Sequence, residues 1–231
     1  MIKERVPPMA RHDKAKIAIV DYRMSNLYSV KHACDCFSLH SVITSDKNDI
    51  LSADAVILPG VGAFGDAMEN LAALGLISPL REFVGSGRPL MGICLGLQLL
   101  FSESEEFGRH AGLGILRGSV VRFRNERPEG GKVKVPHIGW SELRRSGNAA
   151  AWSNSPLREI SDGEYMYYIH SYYVVPENNE ITLAVSRYGG VRFCSAVMSR
   201  NIFGLQFHPE KSAHEGIKIF KGWVDCYKLG A

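Results

Sequence analysis

Hydrophobic positions in the first half of the chain alternate between short β-branched runs and longer segments with helical spacing. The first run, at 16–21, reads Lys-Ile-Ala-Ile-Val-Asp, and a helical pattern follows at 27–37. The same alternation continues, with strands predicted at 41–44, 55–58 and 89–93 and helices at 64–74 and 79–84. Strands that alternate with helices are typical of a parallel sheet covered by helices, so this half predicts βα units.

The second half of the chain carries shorter segments in which apolar and polar residues alternate. Strands are predicted at 120–124, 165–170, 181–186, 192–198 and 202–207, and a closing helix at 213–227. This pattern indicates antiparallel additions to the sheet. The predicted fold class is therefore α/β, with a central, mostly parallel mixed sheet flanked by helices.

The composition is that of an ordinary globular protein. The chain has 231 residues, of which 45% are hydrophobic and 22% charged, and a chain of this size can bury a sizeable core. No linker or repeat divides the interior, so one domain is expected over 16–231, preceded by a loose N-terminal extension at 1–15 without the apolar stretch of a signal peptide. Apolar runs such as 97–101 are far shorter than the roughly 20 residues that cross a bilayer, so no membrane span is expected.

The cysteines are odd in number and lack the spacing of a disulfide scaffold. They are Cys34, Cys36, Cys94, Cys194 and Cys226. This usage suits free thiols in a reducing compartment and predicts a cytoplasmic protein. Cys34 and Cys36 are too close together for the usual zinc half-site, and no second half follows, so neither a metal nor a cofactor is expected.

A net charge of +3 is too small to indicate nucleic-acid binding. One local stretch is strongly basic, with Arg117, Arg122, Arg124, Arg127, Lys132, Lys134, Arg144 and Arg145. This stretch is either a solvated face or a surface that meets a phosphorylated ligand or an acidic partner.

The segment Gly92-Ile93-Cys94-Leu95-Gly96 joins a predicted strand to a predicted helix. Such a turn is a nucleophile elbow with cysteine in place of serine, and it exposes the Cys94 side chain on a strained backbone. The N-terminus of the following helix favours the thiolate, which is the form that attacks a carbonyl carbon. A buried cysteine is otherwise more often structural, so the glycine spacing is what makes Cys94 a candidate nucleophile.

A thiolate needs a base that moves protons and a carboxylate that orients the base. His208 and Glu210 follow a predicted strand and are two residues apart, so they project toward the same side of an extended backbone. The developing oxyanion also needs N–H donors. The backbone of Leu95 is the expected first donor, and the loop 59–62, which otherwise reads as an ordinary turn, is a candidate for the second.

The chain contains three separated motifs, namely Pro59-Gly60-Val61-Gly62, 92–98 and His208-Pro209-Glu210. In this order they resemble the class I, or triad, glutamine amidotransferases. Within that class, segments 26–30, 136–140, 170–172 and 207–212 are most similar to the family of glutaminase subunits of imidazole glycerol phosphate synthase. The resemblance covers about 16–227 and implies a flavodoxin-like fold with a nucleophile elbow.

The resemblance implies a triad in which Cys94 forms a γ-glutamyl thioester and releases ammonia, after which His208, held by Glu210, activates water. It places a set of residues around the bound glutamine, namely Gly60, Gly62, Gln98, Glu106, Ser171 and Tyr172. Glu106 suits the α-ammonium group of that substrate. Val61 would present its N–H to the oxyanion only after the loop rearranges.

The partner implied by the resemblance is a (β/α)8-barrel cyclase, which receives the ammonia through a protected channel in a heterodimer and makes imidazole glycerol phosphate in histidine biosynthesis. The docking residues carried over are Asn26, Trp140, Tyr167 and Lys211. Each has an ordinary alternative: the aromatic residues as core or surface side chains, Asn26 as a helix cap and Lys211 as a solvated charge.

Two segments depart from the family pattern at the expected docking face. Residues 23–25 read Arg-Met-Ser where the family has glycines, and Ser141 stands where asparagine is usual. A related glutaminase that feeds a different acceptor, such as a sugar-amidating enzyme in surface polysaccharide synthesis, is therefore an alternative to the histidine-pathway enzyme. Two further alternatives are a binding module that keeps the fold without catalysis and a stand-alone cysteine hydrolase on a related fold.

Overall fold

The computed structural model describes residues 15–24, 26–37, 39–126, 130–147 and 149–230. Apart from Ala15, the expected extension at 1–15 lies outside the described residues, as do Ser25 and Arg127. In the described part of the chain, no helix combines the length and the apolar character that crossing a membrane requires.

Five parallel strands form the centre of the larger sheet. They are β1 (Lys16–Val20), β2 (His40–Thr44), β3 (Ala55–Gly60), β4 (Leu90–Cys94) and β13 (Ile202–Leu205). The order across this region is β2-β1-β3-β4-β13, and every neighbouring pair is parallel. The carboxyl ends of β3, β4 and β13 therefore lie side by side, which is where open α/β sheets place their ligands.

Four antiparallel strands extend this sheet beyond β13. They are β12 (Val191–Ser199), β11 (Thr182–Tyr188), β8 (His137–Arg145) and β9 (Glu164–His170), in that order. A smaller sheet contains β10 (Tyr172–Pro176), β7 (Gly118–Arg122), β5 (Glu103–Ser104) and β6 (His110–Ala111). The predicted α/β fold, with a mixed sheet of parallel strands and antiparallel additions, is confirmed. Two strands predicted among the antiparallel additions differ: β13 pairs parallel with β4, and the strand predicted at 120–124 belongs to the smaller sheet as β7.

Helices cover both faces of the parallel strands. They are α1 (Leu27–Asp35), α2 (Lys47–Ser52), α3 (Phe64–Ala73), α4 (Ile77–Gly85), α5 (Leu95–Leu99), α6 (Ala149–Ser153) and α7 (Ala213–Cys226). Alternate residues of β1 enter opposite cores, because successive side chains of a strand point to opposite faces. Ile17 and Ile19 pack in the core that contains residues of α1 and α7. Ala18 and Val20 pack in the core that contains residues of α3 and α4.

The structure differs from the sequence prediction at several element boundaries. The helix predicted at 79–84 begins at Ile77, since Pro79 is tolerated in the first turn. The strand predicted at 202–207 ends at Leu205. β8 is not among the strands predicted from the sequence, because its inward-facing positions include the non-apolar residues His137, Gly139 and Ser141.

Candidate active site

Cys94 is the last residue of β4 and directly precedes α5. Its backbone has φ 53° and ψ −109°, in the left-handed region that side-chain-bearing residues rarely adopt. Two glycines allow this turn. A Cβ added to Gly96 would lie 1.8 Å from the carbonyl oxygen of Leu58, and one added to Gly92 would lie 3.0 Å from the backbone of Leu97. The elbow predicted from 92–96 is therefore formed by direct backbone packing.

His208 and Glu210 form a buried pair close to Cys94. Nδ1 of His208 donates to Oε1 of Glu210 at 2.8 Å, and only 2% and 1% of the two side chains is exposed. Pro209 lies between them and begins a 3-10 turn, Pro209–Lys211. Nε2 of His208 is buried and makes no geometrically well-formed hydrogen bond to a described residue. Because Glu210 occupies Nδ1, Nε2 is the nitrogen left to exchange a proton.

The environment of His208 favours the imidazolium ion. Burial opposes the charge, but interaction with Cys94 and the hydrogen bond and charge of Glu210 outweigh it and raise the pKa of His208 to about 10. At neutral pH the ring therefore holds its proton beside the sulfur. This is the charge state that a thiolate-imidazolium pair needs.

Besides His208, two described residues place a polar group near the Cys94 sulfur. Nε2 of Gln206 lies 3.7 Å from Sγ, and the carbonyl oxygen of Ile169 lies 3.9 Å from it. Gln206 is not among the site residues predicted from the sequence. The signal was present, because Gln206 precedes His208 by two residues, as His208 precedes Glu210.

A cavity of about 250 Å³ opens beside Cys94. Most predicted site residues line it, namely Val61, Gly62, Cys94, Leu95, Gln98, Glu106, Ser171 and Tyr172. Pro136, Ile169 and His170 also line it and were not selected from the sequence. Gly60 does not line it; a Cβ on Gly60 would lie 2.0 Å from the Tyr22 hydroxyl. The cavity is small and partly polar, which suits an amino acid.

Glu106 lines the cavity, and its carboxylate lies at the start of α3. Its Oε2 accepts a hydrogen bond of 2.7 Å from the backbone N–H of Phe64. Burial raises the pKa of Glu106, although this hydrogen bond acts in the opposite direction. The cavity thus has one half-buried acidic group, which is suited to a cationic part of a ligand.

The two candidate oxyanion donors differ in their hydrogen bonding. Leu95 is the first residue of α5, so its N–H has no acceptor within the helix. The N–H of Val61 donates to the carbonyl oxygen of Met24 at 2.9 Å. Val61 is therefore held by the loop that precedes α1, and its N–H must leave Met24 before it can serve an oxyanion.

The aromatic residues chosen for docking lie on one exposed face of the strand pair β8–β9. Trp140 is 50% exposed and contacts Tyr167 edge-to-face, with ring centroids 5.9 Å apart. Ile138, Tyr165 and Ile169 are exposed on the same face. Ser141 faces inward instead, and its Oγ lies 3.0 Å from Nε2 of His137.

The other two docking candidates lie in the turn that carries Glu210 and at the start of α1. Lys211 is exposed at the end of that turn. Asn26 takes the N-cap position of α1, where its Oδ1 accepts a hydrogen bond of 3.0 Å from Ser29. The turn packs against both α1 and β9, so the region of Asn26 and Lys211 adjoins the aromatic face.

Metal-binding and basic candidates were also located. Cys34 and Cys36 are free thiols at the end of α1. Across the described ranges, no group of three or more His, Cys, Asp or Glu side chains is placed to hold a metal ion. The described members of the basic stretch are exposed, and Arg144 pairs with Glu142 at 2.7 Å.

Comparison with known proteins identifies relatives along nearly the whole chain. The family model for glutamine amidotransferase class I matches residues 18–224. Imidazole glycerol phosphate synthase subunit HisH from Syntrophotalea carbinolica is 46% identical over 210 residues, or 90% of this chain and 99% of the relative. The subunit of that name from Moorella thermoacetica is 46% identical over 212 residues, or 92% of this chain and 95% of the relative.

A solved structure, PurLQS from Thermotoga maritima, has a TM-score of 0.68 and 19% identity over 92% of this chain and 99% of that chain, a likeness that concerns the fold alone. The sequence relatives show more than a shared fold, because nearly half of the aligned residues are identical over almost the full length of each protein. They do not favour the sugar-amidating or the non-catalytic alternative. The chain therefore belongs to the class I glutamine amidotransferases and, within them, to the family of imidazole glycerol phosphate synthase subunit HisH.

Proposed function

We propose that this chain hydrolyses glutamine to glutamate and ammonia, with Cys94 as nucleophile, His208 as proton carrier and Glu210 as the group that orients His208. The observation that carries the proposal is the buried His208–Glu210 pair beside a cysteine on a strained elbow, at the mouth of a cavity. Residues 16–231 form a single amidotransferase domain in this proposal.

In the first half of the reaction, the Cys94 thiolate attacks the side-chain carbonyl carbon of glutamine. The carbonyl electrons move to oxygen, and the tetrahedral intermediate then expels the amide nitrogen. His208 supplies the proton that this nitrogen needs to leave as ammonia, which agrees with the raised pKa of His208. A γ-glutamyl thioester and a neutral imidazole remain.

In the second half, His208 takes a proton from water as the water oxygen attacks the thioester carbon. Collapse of this second intermediate breaks the C–S bond, releases glutamate and restores the thiolate and the imidazolium. Glu210 keeps Nδ1 protonated throughout, so Nε2 performs both proton transfers.

Glutamine binding is assigned to the polar lining of the cavity. Glu106 receives the α-ammonium group, and Gln98, Ser171 and Tyr172 surround the remainder of the substrate. Gly60 and Gly62 shape the loop that carries Val61. Leu95 N–H is one oxyanion donor, and Val61 N–H becomes the second once its bond to Met24 is broken. The chain alone is accordingly expected to be nearly inactive.

The acceptor of the ammonia is the cyclase subunit of imidazole glycerol phosphate synthase, a (β/α)8 barrel that forms a heterodimer with this chain. The family to which the chain belongs supports this partner, since its members are named as subunits of that synthase. Asn26, Trp140, Tyr167 and Lys211 form the docking surface, and ammonia passes through a protected channel. The pathway is histidine biosynthesis, and the compartment is the cytoplasm.

The test is glutamate release from glutamine by the purified chain, alone and with the cyclase subunit and its ribonucleotide substrate. We expect little release from the chain alone and strong stimulation by the cyclase with its substrate. The cyclase is first shown to be active with free ammonia. Silence in both conditions would then contradict the assigned partner, and labelling of Cys94 by a glutamine-analogue electrophile would show whether the triad itself is functional.

A further inference from the structure

Buried hydrogen bonds connect β8 to the start of β10. Ser141 Oγ lies 3.0 Å from Nε2 of His137, and Nδ1 of His137 lies 3.3 Å from Nε2 of His170. Nδ1 of His170 lies 2.8 Å from the carbonyl oxygen of Tyr172. Both imidazole rings are buried. These side chains lie on the inner face of β8 and β9, opposite Trp140 and Tyr167.

The direction of every bond follows from the carbonyl of Tyr172, which can only accept. His170 must therefore donate through Nδ1. Burial lowers the pKa of His170 to about 3 and that of His137 to about 4, so both rings are neutral at neutral pH. Nε2 of His170 then accepts from His137, and Nε2 of His137 accepts from the hydroxyl of Ser141. Each ring has one tautomer.

The same carbonyl orients two buried glutamines. Nε2 of Gln98 lies 2.9 Å from the Tyr172 oxygen and 3.1 Å from Oε1 of Gln206. Since the carbonyl cannot donate, Gln98 must turn its NH2 group toward it. Gln206 therefore accepts at Oε1 and turns its own NH2 group toward Cys94, where Nε2 is 3.7 Å from Sγ.

The orientation of Gln206 matters because one of the other polar groups near the sulfur is a carbonyl. The oxygen of Ile169, 3.9 Å from Sγ, can accept from a thiol but opposes the negative charge of a thiolate. An N–H donor favours the thiolate, and hydrogen bonds to charged groups are stronger than those between neutral groups. Gln206 is thus aimed at the charged form of the nucleophile.

We propose that Gln206 is a further catalytic residue, which donates a hydrogen bond to the Cys94 thiolate, and that Ser141, His137 and His170 are positioning residues that hold in place the Tyr172 carbonyl by which Gln98 and Gln206 are oriented. The proposal rests on the proposed function in one respect, namely that the Cys94 thiolate is the nucleophile. It adds a donor that lies outside the triad and a reason for two buried neutral histidines beside the cavity.

The first test compares the wild-type protein with Gln206→Met, which keeps the length of the side chain and removes the donor. Two rates are measured in the complex with the cyclase: alkylation of Cys94 by iodoacetamide at neutral pH, and glutamate release. We expect both the alkylation rate and kcat to fall about tenfold or more, because a hydrogen bond to a charged group is lost. The KM for glutamine should change less than kcat. Wild-type rates in a folded Gln206→Met protein would overturn the proposal.

A second pair of variants tests the positioning chain and applies even if Gln206→Met does not fold. His170→Leu removes the donor to Tyr172, whereas His170→Asn keeps a nitrogen donor near the place of Nδ1. We expect alkylation to slow in His170→Leu and to recover in part in His170→Asn. Equal rates in the two variants would contradict the positioning role.

Tyr168→Phe is the matched control for lost buried hydrogen bonding. Tyr168 is fully buried in β9. Its hydroxyl forms a hydrogen bond of 2.7 Å with Ser186, which is not one of the hydrogen bonds that connect Ser141 to Tyr172. This variant should lose stability and keep the wild-type alkylation rate. If the alkylation rate of Cys94 fell in Tyr168→Phe as well, the hydrogen bonds through His137 and His170 would have only a structural role. If the wild-type protein releases no glutamate, the proposed function fails, but the alkylation comparison still decides the role of Gln206.

Discussion

Gly96 lies so close to Leu58 that a Cβ on the glycine would be 1.8 Å from the leucine carbonyl oxygen. This contact joins the first turn of α5 to β3 through backbone atoms alone. Gly96 is two residues after Cys94, so the contact lies directly behind the strained turn, where Cys94 has a φ of 53°. The geometry of the nucleophile therefore depends on a residue with no chemistry of its own.

Gly96→Ala should destabilise the protein by about 3 kcal/mol, because the added methyl group meets backbone rather than a movable side chain. Chemical denaturation would measure the loss. Gly85→Ala is the control, since a Cβ on Gly85 at the end of α4 has no neighbour within 4 Å. That change should be neutral or stabilise by about 0.5 kcal/mol. Similar losses in both variants would rule out the contact with Leu58 as the cause.

The titration of His208 should depend on Cys94. Cys94 and Glu210 raise the pKa of His208 to about 10 against the opposing effect of burial. In Cys94→Ala the contribution of the sulfur is lost, so the pKa of His208 should fall. Nuclear magnetic resonance of the imidazole ring would follow the titration in both proteins. Equal pKa values would show that Cys94 does not stabilise the imidazolium.

Removing the base should reduce turnover more than weakening the group that orients it. We expect His208→Asn to lower kcat about 1,000-fold and Glu210→Gln about tenfold, because the glutamine oxygen can still accept from Nδ1. Cys94→Ser should abolish turnover with folding intact. The measurement is glutamate release in the presence of the cyclase, with circular dichroism as the folding control. Larger loss in Glu210→Gln than in His208→Asn would contradict these roles.

The elbow and the His208–Glu210 spacing could be predicted from the sequence because each is a local pattern. A strand that runs into Gly92-Ile93-Cys94-Leu95-Gly96 determines its own turn, and two residues separated by one proline must lie close together. The alternation of strands and helices likewise predicted the parallel strands β1 to β4, since each of these βα units is continuous in sequence. It did not predict that β13, from the second half of the chain, pairs parallel with β4.

The remaining features depend on contacts between distant segments. The bond from Val61 to Met24 joins two loops, and no short pattern predicts it. The contact of Gln206 with Cys94 joins two strand ends, and the spacing of Gln206 from His208 indicates the side on which Gln206 lies but not its contact with the sulfur. β8 escaped detection because polar His137 and Ser141 face inward, where the protein satisfies them with hydrogen bonds rather than apolar packing. Local periodicity cannot reveal a core of this kind.

As the pH falls, glutamine binding should weaken at a higher pH than it would if Glu106 had the ordinary pKa of a glutamate. Burial raises the pKa of Glu106, and protonation removes the negative charge that faces the α-ammonium group. KM should therefore rise as the pH falls through this raised pKa. Glu106→Gln should increase KM about tenfold and remove this pH dependence.

The control for Glu106 is its neighbour Glu105. Oε1 of Glu105 accepts a hydrogen bond of 2.8 Å from the backbone N–H of Arg122, and the side chain does not line the cavity. Glu105→Gln should leave KM and its pH dependence as they are in the wild-type protein. A pH-independent KM in the wild-type protein, measured over the range where the cyclase complex stays assembled, would remove the basis for assigning the α-ammonium group to Glu106.

Trp140 and Tyr167 should contribute jointly to binding of the cyclase. Their rings meet edge-to-face on an exposed face of β8–β9, and exposed aromatic pairs of this kind are enriched at the centres of interfaces. Trp140→Ala should weaken the affinity for the cyclase about tenfold or more, as measured by calorimetric titration. Because each ring supports the other, the double variant with Tyr167→Ala should lose less binding free energy than the sum of the two single losses.

Val175→Ala is the control. Val175 is an exposed apolar residue of the smaller sheet, so this variant should keep the wild-type affinity for the cyclase. Equal binding by Trp140→Ala and Val175→Ala would place the docking surface elsewhere.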